Sequence, residues 1–402
     1  MSTSKGNFSS FTILCEIFRC EIFRIKLSIH LFISNNSCIF APKFQDMENP
    51  FKYGVLVENE FFTDRINELK QVQMSLNSPN HLILISPRRF GKSSLVAKAV
   101  KESGRPCISL NMQNILSVED LASKLLRELF RQYPLERIKH LMSHFRFIPT
   151  VSSNPVTNSI DVTFQPVVNS IVLLEDAMDL MEKVSTKEKK LIVVFDEFQD
   201  ILNIRKRLDK QLRSIMQTQQ NLNYILLGSQ ESMMIEIFER KKSPFYHFGQ
   251  LMRLDKIPYE DFREYIFARL PKDGNDKQDA IIDEILSFTN LHPYYTQQLS
   301  AQVWEMMTYD HLYEGVVSEA ISKIVRTHDL DFERLWLNFN RTDRSIMMNL
   351  SKGVNPMQNR QMATSTSFSA IKRLMKAGYI IKVNEYEIED PFFREWILRF
   401  CI

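Results

Sequence analysis

Short apolar runs rich in β-branched residues recur along the middle of the chain, and each ends in small or polar residues. They open the stretches 81–95, 107–112, 190–199 and 223–230. A run that is apolar throughout is typical of a strand buried on both faces of a parallel sheet. Because the segments between them are long enough for helices, the pattern predicts an α/β domain built on a parallel sheet.

From Tyr259 to about His328 the apolar residues recur at helical spacing instead, which predicts a small helical domain. The segment from Asp331 onward then offers helices at 342–350 and 365–377 and a short hairpin around Asn384. This order of elements predicts a winged helix at the end of the chain.

Two further segments depart from this pattern. Residues 130–170 are polar and weakly periodic, and they predict an insertion that carries a hairpin. Residues 1–46 are rich in Phe and Ile but are interrupted by charges, so they predict neither a membrane span nor a secretory signal. We expect translation to start at Met47, and an atypical amphipathic anchor is the alternative. The domains predicted are 1–46 (extension), 47–255 (core), 256–328 (helical) and 329–402 (winged helix).

Composition restricts the class of protein without naming a partner. The chain has 402 residues, 44% hydrophobic and 25% charged, which is ordinary for a globular protein without membrane spans. Its net charge of +3 creates no general field that would attract nucleic acid. The five cysteines show no metal-ligand spacing, and reduced thiols in a cytoplasmic protein are the simplest interpretation.

The stretch after the first apolar run has the layout of a P-loop, a phosphate-binding turn between a strand and a helix. Loop amides and the helix N-terminus converge there on an anion, and Gly91 lets the main chain approach it. Lys92 can reach the β- and γ-phosphates, and the Ser93 hydroxyl can ligate Mg²⁺. Ser86 replaces the usual first glycine, and a plain surface loop is the alternative interpretation. The residues expected to hold the nucleotide are Ser86, Pro87, Arg88, Arg89, Phe90, Gly91, Lys92, Ser93 and Ser94.

Acidic and polar residues follow two of the other runs. Asp196 and Glu197 end the third run, and ligands bind at the carboxyl ends of parallel strands. We therefore expect Asp196 to hold Mg²⁺ beside Ser93, and Glu197 to orient and deprotonate the attacking water. Ser229 and Gln230 end the fourth run and could sense phosphate or position water. A solvated acidic turn and a helix cap at Ser229 are the respective alternatives.

The ordered set of motifs resembles the archaeal-type ATPase family. This family is a branch of the P-loop NTPases close to the AAA+ and STAND groups, and it is similar to origin-recognition ATPases. The residues that carry the resemblance span Met47 to the C-terminus. They are Asn49–Phe51, Phe62–Leu69, the P-loop, Asp196–Glu197, Gly228–Gln230, Ser243–Tyr246, Ile257–Pro258, His292–Tyr295 and Asp390–Trp396.

The resemblance implies roles for four more residues. Phe62 and Arg65 are expected to line the adenine pocket. Apart from the resemblance, the residue pattern predicts that Thr63 or Asp64 caps the helix that follows, with Ile66, Leu69 and Val72 on its apolar face. His292 and Pro293 are expected to contact nucleotide and to couple it to a helical lid, with plain helix packing as the alternative. The usual arginine of the second AAA+ sensor is not evident in this sequence.

These expectations define an ATPase that uses ATP and Mg²⁺ and that drives a switch of the lid and the winged helix. A nucleotide-gated binding module with slow turnover is the alternative. The predicted recognition helix offers Lys372, Arg373 and Lys376 to DNA, although a protein partner or a purely structural role fits equally well. Assembly into a homo-oligomer is a further expectation, since a catalytic arginine can be supplied in trans.

Overall fold

A computed structural model gives the fold of the chain. It describes residues 48–55, 62, 65–134, 138, 140–141, 146, 150–154, 159–163, 169–272, 277–358 and 363–402. The predicted extension at 1–46 and the predicted helix cap at Thr63 or Asp64 lie outside these residues. Residues 49–402 form one unit. None of the helices in the described part of the chain has the length and apolar character needed to cross a bilayer.

A five-stranded parallel sheet forms the centre of the fold, as the sequence predicts. Its strand order is β2-β5-β6-β1-β7, so β6 lies between β5 and β1. Strand β7 was not expected, because it is short and only Met252 of its four residues is buried. The strands of the sheet are β1 (Leu82–Ile85), β2 (Cys107–Asn111), β5 (Leu191–Asp196), β6 (Leu222–Gly228) and β7 (Gln250–Arg253).

Both faces of the sheet are covered by helices, which explains the unbroken apolar runs. Alternate residues of each strand enter opposite cores. Ile83, Val193 and Leu226 pack on one side, and Leu84, Val194 and Leu227 pack on the other. The helices around the sheet are α1 (Ile66–Leu76), α2 (Lys92–Ser103), α3 (Val118–Gln132), α4 (Ser170–Val184), α5 (Ile201–Ile204), α6 (Leu208–Met216) and α7 (Glu231–Phe238).

The insertion between α3 and α4 contains the predicted hairpin. Strands β3 (Thr150–Asn154) and β4 (Ser159–Thr163) pair antiparallel, and Val162 is buried against the main core. The expected apolar face of α1 needs one correction. Val72 is fully buried, but Ile66 at the start of the helix is exposed. The core side of α1 therefore lies towards its C-terminal half.

Two segments follow the sheet. The helical segment, residues 259–327, contains α8 (Tyr259–Phe267), α9 (Gln278–Thr289), α10 (Pro293–Tyr309) and α11 (Val316–Thr327). The C-terminal segment, residues 329–402, contains α12 (Asp329–Asn338), α13 (Arg341–Ser351), α14 (Thr364–Ala377), the antiparallel strands β8 (Ile380–Lys382) and β9 (Tyr386–Ile388), and α15 (Pro391–Phe400). Their order matches the helix, helix and hairpin elements expected from the sequence.

The C-terminal segment packs against both other parts. Ile381 of β8 is 8% exposed and belongs to the same core cluster as Leu84 and Phe90 of the sheet region. Lys256 beyond β7 forms an ion pair with Glu387 of β9 at 2.6 Å. The hairpin therefore lies close to the carboxyl edge of the sheet, where the P-loop is.

Candidate active site

The loop between β1 and α2 has the backbone of a phosphate cradle. Gly91 has a φ of 86°, a left-handed conformation that glycine adopts at little cost. Arg89 also has a positive φ, of 62°, which is uncommon for a residue with a Cβ. Ser86 is not among the positive-φ residues in the described part of the chain, so its backbone does not require the glycine of the usual pattern.

Lys92 opens α2 and points back over the loop. Its Nζ donates hydrogen bonds to the carbonyl oxygens of Ser86 and Pro87, both at 3.0 Å. Burial lowers the pKa of Lys92, although the nearby carboxylates of Glu197 and Asp196 favour its charged form. The ammonium group is thus within electrostatic reach of both acids, as the sequence predicts.

Ser93 and Asp196 meet between α2 and the tip of β5. The Ser93 hydroxyl donates to Asp196 Oδ2 at 2.8 Å. A hydroxyl oxygen and a carboxylate oxygen are hard ligands, and Mg²⁺ is usually held by one or two protein groups together with substrate phosphates and water. The donor set therefore fits Mg²⁺ bound together with a nucleotide. Within the described residues no cluster of three or more His, Cys, Asp or Glu side chains forms a closed metal site.

Glu197 is held in an unusual conformation directly after β5. Its backbone is left-handed with a φ of 51°, a conformation that costs about 1 kcal/mol or more for a residue with a side chain. Its Oε2 accepts hydrogen bonds from Ser229 Oγ and Gln199 Nε2, both at 2.6 Å, and from Ser229 N at 3.3 Å. These bonds fix the carboxylate at the edge of the cavity that Lys92 also lines.

Ser229 and Gln230 have different places. Ser229 contacts the acid as described above, and it does not cap α7 with its side chain. Gln230 is the N-cap residue of that helix and makes no side-chain cap bond. Gln230 lines a neighbouring cavity of about 370 Å³ between the P-loop and the C-terminal segment. Only Ser229 of this pair lies in contact with a predicted catalytic residue.

A cavity of about 530 Å³ extends from these phosphate-binding groups towards the helical segment. We call it the P-loop cavity. Its far end is apolar and aromatic, and there the edge of Tyr53 contacts Tyr294 with ring centroids 5.7 Å apart. The lining residues are Lys52, Tyr53, Gly54, Val55, Phe62, Arg65, Arg88–Ser94, Asp196, Glu197, Ile257, Pro293, Tyr294 and Gln297.

Phe62 and Arg65 both line this cavity, and Arg65 also forms hydrogen bonds that connect the P-loop to another part of the sheet. Its guanidinium is buried and donates from Nη2 to the carbonyl oxygens of Phe90 at 3.1 Å and Asp255 at 2.8 Å. A Glu68 carboxylate pairs with Nη1 at 3.0 Å. Arg65 therefore ties the P-loop to the end of β7 as well as closing the pocket.

Pro293 and His292 are neighbours in sequence, but only Pro293 of the two lines the P-loop cavity. Pro293 occupies the first turn of α10 and lines the cavity, and its contact with nucleotide stays a prediction. His292 is 2% exposed and is not among the described residues that line this cavity. Its ring packs edge-on against Phe90 at 4.9 Å between centroids. The expected direct contact of His292 with nucleotide is therefore replaced by a contact with the back of the P-loop.

Sequence reasoning did not single out Lys52, Tyr53, Tyr294 or Gln297 as pocket residues. Tyr294 was visible within the His292–Tyr295 motif, but nothing in the spacing indicates which tyrosine faces the cavity. Tyr53 follows the Asn49–Phe51 motif, whose Asn49 side chain donates to the Ala301 carbonyl of α10 at 3.1 Å. That contact draws the segment over the cavity, and it joins residues far apart in sequence.

Fold and site together define a P-loop NTPase. The family model of an ATPase domain found predominantly in Archaea matches residues 62–299, which is more than half of the chain. The chain therefore belongs to this family, and it is an ATP-binding P-loop ATPase. No curated protein matches the sequence.

Solved structures share the fold. A Walker-type ATPase of Pyrococcus abyssi superposes with a TM-score of 0.60 at 18% identity, covering 87% of this chain and 99% of that one. The ORC2 protein of Aeropyrum pernix, in complexes with ADPNP and ADP, gives a TM-score of 0.49 at 14% identity and covers 87% and 98% of the two chains. At these identities the likeness concerns the fold alone.

Proposed function

We propose that the protein hydrolyses ATP with Mg²⁺ and uses turnover to switch the arrangement of its helical and C-terminal segments. The observation that carries this proposal is the contact of Ser93 with Asp196 at 2.8 Å beside a fixed Glu197. A protein that only bound nucleotide would need no carboxylate held at that point by three hydrogen bonds.

In this proposal each group has a defined role. Lys92 and the loop amides bind the phosphates, and Ser93 and Asp196 hold Mg²⁺. When bound, Mg²⁺ neutralises charge on the phosphate oxygens. Glu197 accepts a proton from the attacking water, and Ser229 keeps the carboxylate in place. Phe62 and Pro293 contact the base end of the nucleotide.

A single substitution tests the assignment of the base. Glu197→Gln keeps the shape but cannot accept the proton, so we expect turnover to fall about 100-fold or more while ATP affinity is retained. Steady-state phosphate release and equilibrium binding of a fluorescent ATP analogue measure the two quantities. Glu236→Gln is the matched control, because Glu236 pairs with Arg240 on an exposed face of α7. Equal turnover in both variants would remove Glu197 from the mechanism.

The proposed switch treats residues 259–327 as a lid and residues 329–402 as a winged helix. Its support is that α10 contributes to both the cavity and the contact with the C-terminal segment, through Pro293 and Tyr295. Hydrogen exchange with and without ATP and Mg²⁺ tests it. We expect nucleotide to change the exchange of amides in α10 and in the β8–β9 hairpin, and identical exchange in both states would contradict the switch.

A nucleotide-gated DNA-binding module is the second candidate function. It is favoured by the outer face of α14, where Lys372 and Lys376 remain exposed beside the half-exposed ring of Phe368. Arg373 contributes less to this face, because its guanidinium pairs with buried Asp343. Gel shifts at increasing salt test the proposal. We expect Lys372→Ala with Lys376→Ala to reduce binding, and no shift at low salt would remove DNA as a ligand.

A further inference from the structure

The side chain of Arg89 extends from the P-loop to α10. Its guanidinium lies over the ring of Tyr294, 4.7 Å from the centroid, and Nη1 donates to Tyr295 Oη at 2.6 Å. Both tyrosines belong to the first turn of α10. The Arg89 side chain is 48% exposed and lines the P-loop cavity, so it is available to a ligand on that side.

The Tyr295 hydroxyl connects Arg89 to the C-terminal segment. It donates to Glu389 Oε2 at 2.7 Å, and Glu389 Oε1 lies 3.8 Å from Arg89 Nη1. Tyr295 is 2% exposed and the Glu389 side chain 11%, so solvent screens the charge of Glu389 weakly, while Arg89 stays half-exposed. We call Arg89, Tyr295 and Glu389 the Arg89 link.

Glu389 lies directly before the residue that caps α15. The next residue, Asp390, caps α15 by accepting hydrogen bonds from the amides of Phe392 at 2.8 Å and Phe393 at 3.2 Å. The ring of Phe392 in turn packs 6.0 Å from that of Tyr295. A displacement of Glu389 therefore acts directly on the start of α15.

When Glu389 is ionised, the Arg89 guanidinium lies between two anionic sites, and Arg88 acts on the same carboxylate. On one side is the Glu389 carboxylate, and on the other is the cavity that takes the triphosphate. Anions held on both sides of a single guanidinium repel each other, and each weakens the contact of the other with Arg89. Coupling of this kind is reciprocal, so whatever docking of Glu389 does to nucleotide affinity, nucleotide does to docking.

We propose that the Arg89 link couples the P-loop to the C-terminal segment negatively, so that a triphosphate in the cavity weakens the docking of residues 380–400. The proposal rests on the ATP-binding function proposed above and assigns its switching contact. Arg89 and Glu389 act as positioning residues here, since their effect passes through the loop and through α15.

Hydrogen exchange of the full-length protein tests the link. We measure protection of β8, β9 and α15 amides with Mg²⁺ alone and with Mg²⁺ and a non-hydrolysable ATP analogue. In the wild type we expect the analogue to lower protection about fivefold or more. In Glu389→Gln and in Tyr295→Phe we expect most of this change to disappear, because each variant removes a member of the link without removing a phosphate ligand.

Glu387→Gln is the matched control. Glu387 pairs with Lys256 and lies two residues from Glu389 on the same hairpin, but no described contact joins it to Arg89. This variant should lower protection in both conditions and keep the response to the analogue. An undiminished response in Glu389→Gln, or higher protection with the analogue, would overturn the link while leaving ATP binding intact. Failure of the wild type to bind the analogue in a direct titration would instead overturn the proposed function, and the link with it.

Discussion

The two ends of the P-loop cavity are built in different ways. The end proposed for phosphate, the phosphate end, is polar and comes from the loop after β1 and from the tip of β5, two strands that belong to one hydrogen-bonded sheet. The end proposed for the base, the base end, is aromatic and comes from residues 52–55 and from α10, which meet through ring packing and through the nearby bond of Asn49 to α10. The sheet therefore fixes the position of the P-loop and the acids, whereas the aromatic end of the cavity depends on how the helical segment is placed.

The largest expected effect lies at the phosphate end. Asp196→Asn removes the anionic partner of Ser93 and weakens Mg²⁺ binding, so we expect turnover to fall about 100-fold or more, as loss of several kcal/mol of metal-dependent stabilisation implies. Phosphate release measured across a range of Mg²⁺ concentrations checks this. Asp209→Asn on α6, away from the residues that line the cavity, is the control. Normal turnover in Asp196→Asn at low Mg²⁺ would show that the phosphate end works without this carboxylate.

A smaller effect, on stability, is expected at Arg65, which connects the P-loop to the end of β7. Arg65→Met fills a similar volume but leaves the buried carbonyl of Phe90 without its donor, which costs about 1–3 kcal/mol, and it also removes the part-buried bond to the Asp255 carbonyl. Urea unfolding measures the loss of free energy of unfolding. Arg131→Met removes an exposed pair with Glu128 and should cost less than about 1 kcal/mol. Equal losses would mean that Arg65 does not tie the loop to β7.

The base end should respond mainly in affinity. Tyr53→Ala removes an aromatic wall of the cavity, and loss of base stacking worth about 1–3 kcal/mol predicts a roughly tenfold weaker Kd for ATP with little change in kcat. Tyr309→Ala is the control, since that ring packs on Trp304 at the far end of α10. If kcat of Tyr53→Ala fell as far as that of Asp196→Asn, the two ends would not be separable.

The smallest effect concerns pH at the contact between the segments. Burial raises the pKa of Glu389 to about 7, although the nearby Arg89 and Tyr295 lower it. Because the pKa is higher in the folded protein, the contribution of Glu389 to stability is complete below its unfolded pKa and is lost as pH rises through about 7. We therefore expect urea unfolding to show declining stability from about pH 4.5 to about pH 7, and Glu389→Gln to flatten that slope.

The stability contributed by His292 changes with pH in the opposite direction. Burial lowers its pKa to about 3, with further effects of Lys256 and Arg89, so the folded protein keeps the ring neutral. Its contribution to stability is present above the unfolded pKa and is lost as pH falls from about 6.5 towards 3. His292→Asn should reduce this acid-side loss. An unchanged acid limb in the variant would contradict the neutral buried histidine.

Much of the phosphate end was predictable because its residues lie at strand ends in short, ordered motifs. Gly91, Lys92 and Ser93 close the loop that follows β1, and Asp196 is the last residue of β5, so the parallel arrangement brings them together. Gln199 was not predicted, although it stands two residues after Glu197, because nothing in a linear pattern shows that its amide turns back to the carboxylate. The left-handed backbone at Glu197 causes that reversal.

The α/β class, the P-loop, the two acids and the order of the C-terminal elements can be read from the chain alone, because apolar periodicity and strand-end residues are local properties. Three contacts are visible only in the folded molecule: His292 lies behind the loop, Arg65 bridges to β7, and Arg89 reaches Glu389 across 300 residues. Those contacts depend on how segments far apart in the sequence pack against one another. Packing follows from the shape and charge of whole surfaces, which short patterns do not record.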